Sequence, residues 1–156
     1  FGLRLDNNTQ LALVDRMRFG APRRVAQGLD ANRLAMLLAI LSRHAGVSLQ
    51  EHDVFANVVG GLTLAETATD LPLVLALASS LRDRPLPQVL VAFGEVGLTG
   101  EVRPVAYGEE RLREAAKQGF KVAVVPQGNV PRKPIEGLAV RGVSRVTEAI
   151  AAAEAV

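Results

Sequence analysis

An α/β or α+β fold, in which helices cover a mixed sheet, is predicted by two patterns in the chain. In the stretch Pro87–Pro126, two short apolar runs, Val89–Phe93 and Lys121–Val125, are bounded by glycine and proline and joined through a helical segment. That is the form a βαβ unit takes in sequence. Farther upstream, Leu34, Leu37, Leu38 and Leu41 recur at the i, i+3, i+4, i+7 spacing of one helix face. Strands beside buried helices, without an internal repeat, fit the two α-and-β classes and no other.

Each element can be justified in order. Phe1–Gln10 is polar and Asn-rich with no period, and is expected to be a loose arm or a turn; Gln10–Val14 is a candidate first strand. Arg16–Arg24 is a basic loop broken by Gly20 and Pro22, either facing phosphate or simply connecting, with its arginines paired to nearby acids. From Asp30 to Ala45 a helix is predicted, with Asp30 or Asn32 as cap and Gly46 as terminator. Ala35, Met36, Ala39 and Ile40 make it apolar nearly all round, hence largely buried. His44, in its last turn, is expected to meet free carbonyls at the helix end. Asp53–Val59 is a strand and Leu62–Glu66 a short extended run, with the Gly60–Gly61 pair between them. The next helix starts at Thr69 or Asp70, tolerates Pro72 in its first turn, and carries a core stripe of Leu71, Val74, Leu75, Ala78 and Leu81. After Val89–Phe93 comes a reversal marked by Gly94, Gly97 and Gly100, a short strand Glu101–Val105, and a helix from Tyr107–Gly108. Gln127–Gly137 is a Pro/Gly loop, Leu138–Arg141 a last strand, and Ser144 the cap of a final helix over Arg145–Ala155.

Composition narrows the chemistry. A chain of 156 residues can bury one core without staples. It has no cysteine and only two histidines, His44 and His52, which excludes disulfides and thiolate chemistry and disfavours zinc. Nothing approaches the ~20 apolar residues of a membrane span, and no signal peptide is visible, so a cytoplasmic location is the expectation. A first residue of Phe rather than Met suggests a piece of a longer protein. Charge is uneven: residues 1–50 hold seven Arg against three Asp, residues 51–100 two Arg against six acids, and residues 101–156 nine bases against seven acids. That asymmetry permits a basic face for nucleic acid or a complementary contact between copies, and is equally consistent with a mixed solvated surface. Arg outnumbers Lys 15 to 3, a bias that suits bidentate contact with phosphate or carboxylate. The spaced glycines of Gly94–Gly100 lack a following Gly-Lys-Ser/Thr, and Glu95 would repel an anion, so tight turns explain them better than a nucleotide loop.

Six blocks carry a resemblance: PRRVAQGLDANRLAMLLAIL (Pro22–Leu41), DVFANVVGG (Asp53–Gly61), SSLRDRPLP (Ser79–Pro87), FGEVGLTGEVRPV (Phe93–Val105), RLREAAKQGFKVAVVP (Arg111–Pro126) and NVP (Asn129–Pro131). The chain resembles the proteolytic domain of Lon proteases, and more closely the Lon-like C-terminal domain of the bacterial DNA-repair RadA (Sms) family. The resemblance implies a Lon proteolytic-domain-like fold, of the ribosomal protein S5 domain 2-like kind, over residues 10–156, with residues 1–9 as an N-terminal arm or linker. Lon enzymes cut peptides with a Ser–Lys pair, the lysine acting unprotonated as base. Counting from the matched blocks, the serine's place falls at about Ala68 and the lysine's at Glu109. Thr67 and Thr69 offer hydroxyls nearby, but Lys117, the nearest lysine in sequence to Glu109, lies about 12 Å farther along the helix. The expectation is a degenerate dyad and no catalytic residue; a residual Ser/Thr-type, ATP-independent peptidase is the alternative.

For the family, the resemblance implies a zinc-binding region and a RecA-like ATPase ahead of this domain, forming a hexameric ring that drives branch migration in recombination. ATP, Mg and Zn would then belong to those other parts, with no cofactor here. Expected partners are further copies of the chain, double- or single-stranded DNA held through phosphates, and a recombinase, with no membrane. DNA contact would be arginine-rich, salt-sensitive and indifferent to sequence. Aromatics at 4% are too few for a base-stacking surface. The candidates for DNA binding are Arg16, Arg18, Arg23, Arg24, Arg33, Arg132 and Lys133. Arg82, Asp83 and Arg84, at a helix end, suit a salt bridge between subunits or within the chain.

Overall fold

The computed structural model describes residues 3–4, 12–16, 21, 24–27, 30–48, 51–57 and 67–156. Its main sheet has four strands, β1 (Leu3–Arg4), β5 (Leu90–Ala92), β8 (Val122–Pro126) and β9 (Ala139–Val143), in the order β1-β5-β8-β9. β8 runs parallel to both β5 and β9, with Val91 opposite Ala123 and Val124 opposite Arg141. A second sheet sets β4 (His52–Asn57) between β2 (Ala12–Arg16) and β3 (Arg24–Gln27). A two-stranded hairpin pairs β6 (Glu95–Val96) with β7 (Val102–Arg103).

The apolar runs legible in sequence work because strand side chains alternate between faces. Leu90, Ala92 and Val124 point into a core shared with three helices, α1 (Ala31–His44), α2 (Asp70–Arg82) and α4 (Val146–Glu154). Val91, Phe93, Ala123 and Val125 point the other way, onto Leu112 and Ala115 of α3 (Gly108–Lys117). Parallel strands covered on both faces read as unbroken apolar segments. The expected crossover is therefore present, with α3 on one side of the sheet and α2 and α4 on the other.

α1 begins where Asp30 accepts a hydrogen bond from the Asn32 amide at 2.9 Å and ends at Ala45, followed by Gly46 at φ 66°. Burial is narrower than its composition suggests: Leu34, Leu37, Leu38, Ile40 and Leu41 are inside, while Ala35 and Ala39 face solvent. α2 departs in the opposite direction. Leu71, Val74, Leu75 and Ala78 of its predicted stripe are buried and Leu81 is half-buried, while Leu73 and Leu77 are buried as well. The helix touches β2 and β5 as well as α1 and α4, so no long face is left wet.

Four local expectations are corrected. His44 does not close its own helix end; Nε2 lies 3.0 Å from the carbonyl oxygen of Leu98. Ser144 does not cap α4, whose cap residue is Arg145 and which has no side-chain cap; Ser144 instead accepts the Val102 amide through its carbonyl at 2.9 Å. Of Glu101–Val105 only Val102–Arg103 is strand. Leu3–Arg4, from the stretch expected to be a loose arm, pairs antiparallel with β5. The Leu62–Glu66 run lies outside the described residues.

Candidate functional site

The two positions assigned to a degenerate dyad are built differently. Ala68 sits in a single 3-10 turn, Thr67–Thr69, at 1% exposure. Its carbonyl accepts the Gly94 amide at 2.9 Å, and the Leu71 amide donates to the Gly94 carbonyl at 3.0 Å, which fastens the start of α2 to the chain leaving β5. Gly94 has φ 153°, and a Cβ there would lie 3.1 to 3.3 Å from Pro126, Val102 and Leu71, so only glycine allows this approach. Beside it, Asp70 is buried and ionically paired. Its carboxylate accepts from the Val96 amide at 3.0 Å and from two nitrogens of Arg33, Nε at 2.8 Å and Nη2. Those hydrogen bonds raise the Arg33 pKa further, against partial desolvation. Thr67 donates its hydroxyl to Glu95 Oε2 at 3.2 Å.

Glu109 lies in the first turn of α3, exposed, with Oε1 2.5 Å from Nη2 of Arg113. Negative charge is favourable at that helix end. Lys117 ends α3, and the Lys121 amide bonds to Val89 at the amino end of β5. Ala68 meets Gly94 at the carboxyl end. Five residues of extended chain put the two ends about 16 Å apart.

The basic candidates divide. Arg132 and Lys133 are exposed in the loop after the 3-10 turn Gln127–Asn129 and make no side-chain hydrogen bond or ion pair with the described residues. Arg24 opens β3, exposed, and donates through Nη1 to the His52 carbonyl of neighbouring β4. Arg33 belongs to the Asp70 pair, so its guanidinium is engaged within the chain rather than free for phosphate. Arg16 is the last residue of β2, opposite His52; its side chain, and all of Arg18 and Arg23, lie outside the described residues. Of the helix-end group, Arg82 and Arg84 both reach Glu154 of the same chain, at 2.5 and 3.7 Å, and Asp83 is the left-handed cap of α2 at φ 51°. The within-chain alternative is the one realised for both arginines.

Sequence reasoning missed several contacts that shape the carboxyl edge of the sheet. Asn129 holds Val105 by both backbone groups, accepting its amide at 2.9 Å and donating to its carbonyl at 3.0 Å. Arg111 is buried, donates to the Ala106 carbonyl at 2.9 Å and stacks 5.8 Å over the Phe93 ring. No local pattern signals a bond between residues 24 apart. Among the described residues no group of three or more His, Asp or Glu could hold a metal ion, and no helix is long and apolar enough to cross a membrane.

The family model described as subunit ChlI of Mg-chelatase matches residues 32–129. Among curated proteins, the DNA repair protein RadA of Salmonella typhimurium is 60% identical over 139 residues, which cover 89% of this chain and 30% of that protein. The RadA proteins of Escherichia coli and Bacillus subtilis are 58% and 46% identical over 89% of this chain and 30% and 31% of their own lengths. The chain thus spans about a third of the length of these relatives.

Proposed function

We propose a function from one premise: the chain belongs to the ChlI family and is the Lon-like domain of a RadA-type DNA-repair protein. In this reading the domain is a non-catalytic scaffold within a cytoplasmic branch-migration motor. It supports a hexameric ring of copies and adds a sequence-independent grip on DNA phosphates, needs no cofactor of its own, and leaves nucleotide chemistry to other parts of the protein. A recombinase would meet the assembled motor rather than this domain's interior.

The observation that carries the reading is the character of Ala68 and Glu109. One is a buried methyl group and the other a solvent-facing carboxylate paired with Arg113, and neither can supply a nucleophile with a neutral amine beside it. Support for phosphate binding comes from Arg132 and Lys133, which project from one exposed loop. Duplex DNA binding measured across a salt series tests it. Reversing both charges (Arg132→Glu with Lys133→Glu) should weaken binding and lower the log–log salt slope by about 2, for two lost phosphate contacts. An unchanged slope removes this loop from the interface. Casein turnover that disappears in Thr69→Ala would overturn the scaffold reading itself.

A further inference from the structure

We infer that Tyr107 is a stacking platform for a nucleobase that is free of pairing, set beside the loop of Arg132 and Lys133. The inference rests on the phosphate-grip reading and deepens it, since it names what the gripped strand offers: an unpaired base as well as a phosphate.

Tyr107 holds a left-handed backbone, φ 61° and ψ 32°, at the position that caps α3. A bulky side chain rarely adopts that conformation, which glycine takes without strain. Burial does not repay the strain, because 74% of the residue is exposed and its hydroxyl bonds to none of the described residues. The backbone beneath is nonetheless pinned. The Tyr107 carbonyl accepts the Arg111 amide at 3.0 Å, and the Ala106 carbonyl accepts Arg111 Nε at 2.9 Å. Asn129 clamps both backbone groups of Val105. Gly108 is buried, and a Cβ there would lie 2.5 Å from Asn129 Nδ2. A rigid frame thus holds one aromatic ring in solvent, and strain maintained in that way is found where ligands bind.

The surroundings select the ligand. A Cβ on Gly128 would lie 2.5 Å from Pro104 Cγ, so the loop after β8 abuts the segment that carries the ring. Pro104, Ala106 and Val130, on these two abutting segments, are exposed as well. Arg132 follows Asn129 by three residues, about 10 Å of extended chain at most, and Lys133 comes next. Both cations are exposed. In the other direction the ring is followed by Glu109 and Glu110 in the first turn of α3. Those carboxylates turn a phosphate away from the helix end and toward the loop. A flat apolar face with cations to one side suits a nucleotide, its base on the ring and its phosphate on the loop. Bases inside a duplex have their faces covered by the stack and cannot take the ring; an unpaired base can. One ring serves one base, which fits a chain poor in aromatics.

Tyr107 is the chain's one tyrosine, and there is no tryptophan, so its emission reports this ring alone. Titration with an oligothymidine strand should quench that emission to saturation. An abasic strand of equal length, and duplex DNA, should bind through phosphates without quenching. Affinity for labelled oligothymidine, read by anisotropy, should be kept in Tyr107→Phe. In Tyr107→Ser it should fall about tenfold with an unchanged salt slope, since a stacked base and no phosphate contact is lost. Tyr107→Gly should lose affinity in the same way while raising the urea midpoint, because glycine relieves the backbone strain. Full affinity in Tyr107→Ser, or saturable binding of oligothymidine without quenching, would overturn the platform and leave the phosphate grip standing. Undiminished affinity in Arg132→Glu with Lys133→Glu, with quenching intact, would overturn the grip and with it the shared site, since the ring would be acting alone. A chain that binds no strand at low salt would overturn both.

Discussion

The turn ahead of α2 and the loop behind β8 both lie at the carboxyl edge of the main sheet. They are close neighbours: a Cβ on Gly94 would sit 3.1 Å from Pro126, the residue that precedes that loop. Yet they handle charge in opposite ways. Around Ala68, Asp70 is buried and takes up Arg33 and the Val96 amide, and Thr67 takes up Glu95. Across the strand, Asn129 fastens the loop to Val105 by neutral amide bonds, while Arg132 and Lys133 stay in solvent. The first region uses its ionisable groups to hold α1, α2 and the hairpin together. The second is held by a side-chain amide, which leaves its cations available for a partner. Position on the fold does not decide which region can bind; what its side chains already touch does.

The largest effect that would test this contrast is at Asp70. Asp70→Ala strips Arg33 of its partner and leaves the Val96 amide without an acceptor in a buried setting. The loss should be about 3 kcal/mol in urea unfolding, below the ceiling for a fully buried pair because Arg33 is 30% exposed. A loss under about 1 kcal/mol would mean that the pair is not what joins α1 to α2. Next comes Gly94→Ala, where a positive φ and three contacts of 3.1 to 3.3 Å oppose a methyl group. A destabilisation of about 2 kcal/mol is expected, from strain and overpacking together. The double reversal at Arg132 and Lys133 described above sharpens the contrast from the other side, since it should leave unfolding within about 0.5 kcal/mol of the original.

How much of this was legible beforehand depended on range. α1, α3, β5 and β8 show themselves because a helix or strand writes its period into consecutive residues. In α2 the stripe signals one packed face, whereas the helix has neighbours on several. His44 and Leu98 are 54 residues apart, and Arg145 and Thr99 are 46; nothing local couples them. The arginines teach the same point within the candidate site. Arg33 and Arg132 are the same residue type in the sequence, and only folding shows that one has a buried carboxylate beside it. Ala68 and Glu109 are singled out by counting along matched blocks rather than by contacts, and only the fold shows that one is buried and the other exposed.

The smallest effect concerns the turn that carries Leu98, a third region, held by charge like the first but in solvent like the second. Glu101 closes it, accepting from the Thr99 hydroxyl and amide and from Arg103 at 2.6 Å. The Thr99 hydroxyl first, then its own backbone amide and Arg103, draw the Glu101 carboxyl down to about 2. A carboxyl that is more acidic folded than unfolded adds stability that is complete above the unfolded value, about 4.3, and fades as pH falls toward 2. The difference in urea midpoint between the native chain and Glu101→Gln should therefore be constant from pH 7 to about 5 and close progressively below that. Because the group faces solvent, the difference should be small and should shrink in high salt. A gap that stays open at pH 2 would show that the glutamate acts through shape, and would put the ordering of the turn on His44, Arg145 and the Val146 amide.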